Sequence, residues 1–385
     1  MRLLHLGDLH IGKTVNDFSM IEDQEYILNQ IVDIAKEKKV DAILIAGDVY
    51  DRTVPSEEAV RVLDDFLCTL AELKIETFII SGNHDSDERL NFGSSLFKQN
   101  GIHIFSKYNG MMYQYKYADE YGDVNIYLLP FVKASQVKHF FPEAEIETYD
   151  DAVRTVIEAA DIDKNERNIL VAHQFVAGHR QAPKFGGSEN VAVQNVGTVE
   201  RISVDCFGDF DYVALGHIHA PQIIERETIR YAGSPLKYSQ REVTDDKSVP
   251  LITLKEKGNV DIELLPLKPL RDTRQLKGTL EQILSKENVT GEQDYIYATL
   301  TDENPIADAM LIMRQYYPNT MKIEYDNSHT KEMKQIDISK VTQERSFSEL
   351  MSDFYEMMYG CEMDQEERTL MEQVAKEVGI INEAD

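Results

Sequence analysis

The patterning of this chain predicts a layered α/β fold whose functional residues gather at one edge of a sheet. Two observations carry that expectation. Over roughly the first 240 residues, short apolar strand patterns alternate with helical ones. Strand after strand then runs into a cluster of Asp, His or Asn. In layered α/β proteins the carboxyl ends of the strands share one edge, and sites are built there.

Arg2–Leu6 is a short apolar strand that ends in Gly7-Asp8-Leu9-His10. Helical spacing follows, with Ile21, Ile27, Leu28, Ile31, Val32 and Ala35 on one face. Ala42–Ala46 is a second strand, ending in Gly47-Asp48, and Pro55-Ser56 opens a helix whose stripe runs from Ala59 to Leu70. Thr77–Ile80 is a third strand, ending in Ser81-Gly82-Asn83-His84-Asp85. Asn125–Leu129, Asn168–Ala172 and Asp211–Leu215 are later strands. The last two run into His173 and into Gly216-His217-Ile218-His219.

Past Tyr231-Ala232-Gly233-Ser234-Pro235 the pattern changes. Val249–Leu254 and Val260–Leu264, joined through Lys257-Gly258-Asn259, read as a hairpin. Pro266 and Pro269 close a first domain of residues 1–265. Residues 266–335 read as a small α+β domain with helices at 279–286 and 306–316 and strands at 294–300 and 320–325. Asn304-Pro305, an N-cap followed by a first-turn proline, marks the second helix start. Residues 336–385 read as a C-terminal helical segment. It has one apolar face of Phe347, Leu350, Met351, Phe354 and Met358 and another of Leu370, Met371, Val374 and Val378. Methionine-rich apolar faces suit partner grooves, and they equally suit folding back on the chain's own small domain.

A length of 385 residues points to two or three domains. The first ten residues are interrupted by His5, Asp8 and His10, which fits a buried strand and not a signal peptide. No apolar run approaches the roughly 20 residues needed to cross a bilayer, so no membrane is expected. Cys68, Cys206 and Cys361 are odd in number and widely spaced, as expected of buried thiols in a reducing cytosol. The net charge of −28 opposes a broad DNA-holding surface. It favours a small substrate, or DNA brought in by a partner and gripped locally. Arg180 and Lys184, in the glycine-rich stretch after His173, are candidate contacts for a DNA backbone, and the stretch equally reads as an ordinary solvated loop.

Each polar cluster alone also reads as an ordinary polar turn. Together they place His10, His84, His173, His217 and His219, half of the 10 histidines, at strand ends beside Asp8, Asp48, Asn83 and Asp85. Chemistry has a use for such a set. Two divalent cations about 3.5–4 Å apart can flank a phosphorus, activate a water and absorb transition-state charge. A carboxylate must bridge them, and mixed N/O ligation suits Mn²⁺, Fe²⁺ or Zn²⁺ better than Mg²⁺.

Asp-x-His, Gly-Asp-x-x-Asp, Gly-Asn-His-Asp, a single His and Gly-His-x-His, in this order, resemble the calcineurin-like metallophosphoesterases. Narrower features resemble the SbcD-type nuclease subunits of that superfamily: Leu3-Leu4-His5, Val40-Asp41-Ala42, Asn83-His84-Asp85-Ser86 with Arg89-Leu90, Asp211 to His219, and Tyr231 to Leu236. The resemblance implies a two-sheet metallophosphoesterase sandwich flanked by helices, with a small α+β capping domain and C-terminal helices. It implies two divalent ions, Mn²⁺, the first held by Asp8, His10, Asp48 and His219. The second would be held by Asp48, Asn83, His173 and His217, with Asp48 bridging. His84 would bind the phosphate and protonate the leaving oxygen, and Asp85 would fix its ring. Asp51 stands where some archaeal relatives carry a histidine, which leaves its role open.

The implied activity is double-strand exonuclease and single-strand or hairpin endonuclease in DNA repair and recombination. The implied partner is an SbcC-type SMC-like ATPase, in a complex with dimerised nuclease subunits at the cytoplasmic nucleoid. The alternative is a phosphatase or small-molecule phosphodiesterase of the same superfamily. An inactive scaffold would have lost ligands or the catalytic histidine, and all eight of those positions are filled here.

Overall fold

In the computed structural model, which describes residues 1–179, 183–187, 201–328, 351–352, 355, 363 and 365–377, strand alternation sorts side chains between separate cores. The first half supplies β1 (Arg2–Leu6), α1 (Ile21–Lys38), β2 (Ala42–Ala46), α2 (Glu57–Glu72), β3 (Glu76–Ile80), β4 (Ile102–Phe105), β5 (Tyr113–Asp119) and β6 (Gly122–Leu129). It continues with α3 (Ala134–Phe140), α4 (Tyr149–Glu158), β7 (Arg167–His173), β8 (Tyr212–Gly216), β9 (Gln222–Ile224), β10 (Arg226–Tyr231), β11 (Ser248–Leu254) and β12 (Val260–Pro266). One six-stranded sheet has the order β12-β11-β1-β2-β3-β4, the other β9-β10-β8-β7-β6-β5. β1, β2, β3 and β4 pair in parallel, as do β6, β7, β8 and β10.

Period-two alternation explains the stacking. Ala42, Leu44 and Ala46 of β2 join Leu3, Phe78, Val124, Ile126, Val171 and Ala214 in a core between the two sheets. Ile43 and Ile45, one residue out of step, face a second core with Ile27, Ile31, Val62 and Phe66 of α1 and α2. Leu170 and Val213 face a third core with Val153 and Val156 of α4. The result is a two-sheet sandwich flanked by helices. Ser56 caps α2 as its sequence position predicts, accepting from the Ala59 N–H at 3.2 Å.

The chain divides into two compact units, Met1–Leu300 with Ile306–Glu324, and Thr301–Pro305 with Tyr325–Asp385. The first unit includes a three-stranded sheet of β13 (Thr273–Gly278), β14 (Tyr295–Leu300) and β15 (Thr320–Tyr325), plus helix α5 (Ala309–Tyr316). Its Tyr295 and Tyr297 pack in the same core as α1, and the Tyr295 hydroxyl donates to Asp23 at 2.8 Å. Three expectations need correction. β13 is absent from the sequence pattern, because its residues are only half sheltered and include Arg274, Gln275 and Lys277. The turn Leu280–Ile283 is shorter than the expected helix. α5 starts at Ala309 and not at residue 306, because Asp308 sits at φ 55°, off the helical path that Pro305 would have opened.

In the second unit, helix α6 (Gln365–Glu377) leaves Leu370 and Val374 exposed. Of the expected apolar residues there, Phe347, Leu350, Phe354, Met358 and Val378 lie outside the described residues. Cys206 is buried, but Cys68 is exposed on α2, and Cys361 lies outside the described residues. No described helix is long and apolar enough to cross a membrane.

Asp211 tethers the two sheets at the end of β8 away from the polar clusters. It accepts from Asn168 N at 2.7 Å, Gly258 N at 2.9 Å and Lys257 Nζ at 2.9 Å. Asp211→Ala would strand these donors. Urea unfolding is expected to show a loss of about 2–4 kcal/mol, with Asp211→Asn closer to wild type.

Candidate metal centre

Every expected ligand reaches one crevice at the carboxyl ends of β1, β2, β3, β7 and β8. Backbone bonds stitch the loops that carry them. His10 N donates to Asp48 O and Ile11 N to Val49 O, each at 2.9 Å. In the other sheet Gly216 stands in register with His173. Asp8, His10, Asp48, His173 and His219 are almost wholly buried, while Asn83 and His84 are half-buried.

The convergence does not come from extended backbone at Asp8-Leu9-His10 and Gly216-His217-Ile218-His219. Asp8, His10, Asp48 and His217 all have positive φ, at 52°, 45°, 47° and 102°. Such backbone costs an L-residue about 1–3 kcal/mol and persists only where the surroundings enforce it. Here the enforcement is visible. The Gln24 amide donates to the His10 carbonyl at 2.7 Å, and the Tyr238 hydroxyl donates to the Leu9 carbonyl at 2.6 Å. Sequence reasoning missed both. Gln24 could have been found: it falls three residues from both Ile21 and Ile27, in the apolar stripe of α1.

Asp48 lies at the middle. Its Oδ2 is 3.5 Å from His10 Nε2 on one side and 3.5 Å from His173 Nε2 on the other. On the first side His10 Nε2 is 3.0 Å from His219 Nε2, and Asp8 completes a group of donor atoms. On the second side Asn83 Oδ1 is 3.1 Å from His173 Nε2 and 2.9 Å from His217 Nδ1. A cation with bonds of about 2.1 Å holds neighbouring ligand atoms roughly 3 Å apart. The donors fit that spacing twice, around one shared carboxylate oxygen. Asp8 Oδ2 strengthens the fit, being buried with no hydrogen-bond partner among the described residues. An anionic oxygen left that way would cost several kcal/mol unless a cation met it.

Ring orientation follows from the carbonyls that the imidazoles meet. A carbonyl only accepts, so His173 Nδ1–H donates to the Ala46 carbonyl at 2.8 Å and leaves the Nε2 lone pair facing Asp48 and Asn83. Burial pushes His10 and His217 down to about 3, which keeps both rings neutral, as ligands must be. Burial would lower His173 too, but the Asp48 carboxylate outweighs it and raises that ring to about 9, so a proton and a cation compete for it. Burial raises Asp8 to about 6 against the pull of His173.

Asp85 requires a correction. Its carboxylate accepts from the backbone N–H groups of Val49 at 3.1 Å, Tyr50 at 2.9 Å and Gly82 at 2.9 Å. It therefore braces the loops after β2 and β3, and the His84 ring is held instead by the Asp51 carbonyl, 3.0 Å from Nδ1. Asp51 gains a second role through its carboxylate, 3.4 Å from His10 Nδ1 and 2.7 Å from Lys13 Nζ. Lys184 is exposed, with its backbone bonded both ways to the Gln222 side chain, and Arg180 lies outside the described residues.

A family model described as calcineurin-like phosphoesterase matches residues 1–221, more than half of the chain. The chain belongs to that family. As a calcineurin-like phosphoesterase it is a metal-dependent hydrolase of phosphate esters. A second model, named SbcD_C and described as the Type 5 capsule protein repressor C-terminal domain, matches residues 269–359. Among solved structures, the chain is similar to a dimetal phosphatase from Danio rerio at 13% identity and a TM-score of 0.39, covering 70% of this chain and 99% of that one. It is also similar to the protein TT1561 of Thermus thermophilus, at 11% identity and a TM-score of 0.38, covering 68% of this chain and 98% of that one.

Proposed function

We propose that this phosphoesterase is a DNA nuclease subunit of the SbcD type, hydrolysing phosphodiester bonds with two Mn²⁺ ions. One would be held by Asp8, His10, Asp48 and His219, the other by Asp48, Asn83, His173 and His217. The observation that carries the reading is the position of Asp48 Oδ2, equidistant from an imidazole of each set. Ions held there would flank a phosphate, polarise the attacking water and offset the charge that develops on the phosphorus oxygens. Asp48 also accepts from His84 N at 2.9 Å, which ties the catalytic histidine to the bridging carboxylate.

His84 is the proton donor of this scheme. Its Nδ1–H is engaged with the Asp51 carbonyl, so Nε2 is the nitrogen that delivers a proton to the leaving oxygen as the P–O bond breaks. The choice of DNA over a small ester is supported by the C-terminal match at residues 269–359. Exposed Leu370 and Val374 on α6 offer apolar surface to a partner of the SbcC ATPase type. Such a partner would bring DNA to a chain whose charge of −28 repels it.

The test is Mn²⁺-dependent digestion of a DNA hairpin, run beside a nitrophenyl phosphodiester. Wild type is expected to cut the hairpin, and His84→Ala to cut it about 10²–10³-fold more slowly. Wild-type rates in the variant would remove the proton-donor role. Cleavage of the ester but never of DNA, with the ATPase partner present, would favour a small-molecule phosphodiesterase.

A further inference from the structure

The His219 ring has a second neighbour behind it. Glu242, on the single turn Gln240–Glu242, is wholly buried, and its Oε1 lies 3.8 Å from His219 Nδ1. Its other oxygen, Oε2, accepts from Lys247 Nζ at 2.7 Å. Lys247 is itself almost wholly buried and directs further donors to the His219 carbonyl and the Ser234 hydroxyl, each at 3.0 Å. Glu242 thus stands behind the His219 ring, and Lys247 holds its backbone carbonyl. A carboxylate paired in this way with a buried ammonium can take the Nδ1–H of a neutral imidazole.

We propose that Glu242, held by Lys247, is a positioning residue for the metal centre, fixing His219 in the Nδ1–H tautomer with the Nε2 lone pair turned toward His10 and Asp8. The inference rests on the reading that His219 binds an ion. A carboxylate behind a ligating imidazole orients the ring and raises its basicity, and removing such a group costs about 10–100-fold in metal affinity. Stability alone does not call for this ion pair so close to the centre. A buried pair adds little net stability over apolar residues of similar volume.

The experiment is Mn²⁺ titration by calorimetry, with electron paramagnetic resonance to separate coupled from single ions, on the full chain. Glu242→Gln is expected to weaken one of the two sites about 10-fold and leave the other unchanged. Because Glu242→Gln leaves Lys247 without its buried charged partner, the double variant Glu242→Leu/Lys247→Met serves as the second test, replacing the pair by side chains of similar volume. It is expected to melt close to wild type without metal, yet to weaken one site about 10–100-fold and shift the signal from coupled to single ions. Wild-type affinity at both sites in these variants would overturn the role of Glu242 alone. A wild-type chain that takes up no Mn²⁺ would instead overturn the metal reading, and this inference with it.

Discussion

Asp48→Asn is expected to lower phosphodiester hydrolysis by about 10⁴-fold, equivalent to roughly 5 kcal/mol of transition-state stabilisation. No other single side chain should cost as much, since its Oδ2 stands 3.5 Å from His10 and 3.5 Å from His173, one imidazole of each set. The amide keeps the shape and can still accept from His84 N through Oδ1. What it removes is the negative charge on an oxygen that stands 3.5 Å from both His10 and His173. Bound Mn²⁺ counted by elemental analysis should fall from two per chain to one or none, while the metal-free protein stays folded. A variant within tenfold of wild-type kcat/KM on a nitrophenyl phosphodiester would mean that Asp48 does not bridge.

Much of this centre is legible in the sequence because strand patterns and polar clusters adjoin. Ala42–Ala46 and Arg2–Leu6 are apolar enough to be recognised, and their ends name Asp48, Asp8 and His10 directly. What the sequence hides is how the loops turn. Nothing in Asp8, His10 or Asp48 announces positive φ, since none is glycine, and the enforcing bonds come from Gln24 and Tyr238, one distant in sequence by more than 200 residues. Asp85 adjoins His84, so neighbourhood suggests a shared role, whereas the fold aims its carboxylate at backbone N–H groups of another loop. Glu242 and Lys247 lie in a charged stretch that reads as solvated surface, and only the tertiary structure buries them together. Local pattern carries information about elements; side-chain partners set by long-range packing leave little local trace.

Gly216→Ala is expected to be the most disruptive alanine substitution among the described glycines. A Cβ at that position would overlap the Ala46 carbonyl oxygen and stand 2.9 Å from His173 Nδ1, closer than atoms can approach. The clash is with backbone of β2, so no side-chain rotation relieves it, and the two sheets must part where the metal centre joins them. The Ala46 carbonyl is also the acceptor that orients His173, so parting the sheets turns that ring away from Asp48. Urea unfolding should therefore show a loss of about 3–5 kcal/mol, the upper range for overpacking, together with loss of Mn²⁺ uptake. Gly258→Ala is the control: its φ of 79° strains an alanine, but nothing lies within 4 Å of the added carbon. It should cost only about 1–2 kcal/mol and leave metal uptake unchanged. Equal losses in the two variants would mean that the contact between the sheets does not govern the Gly216 position.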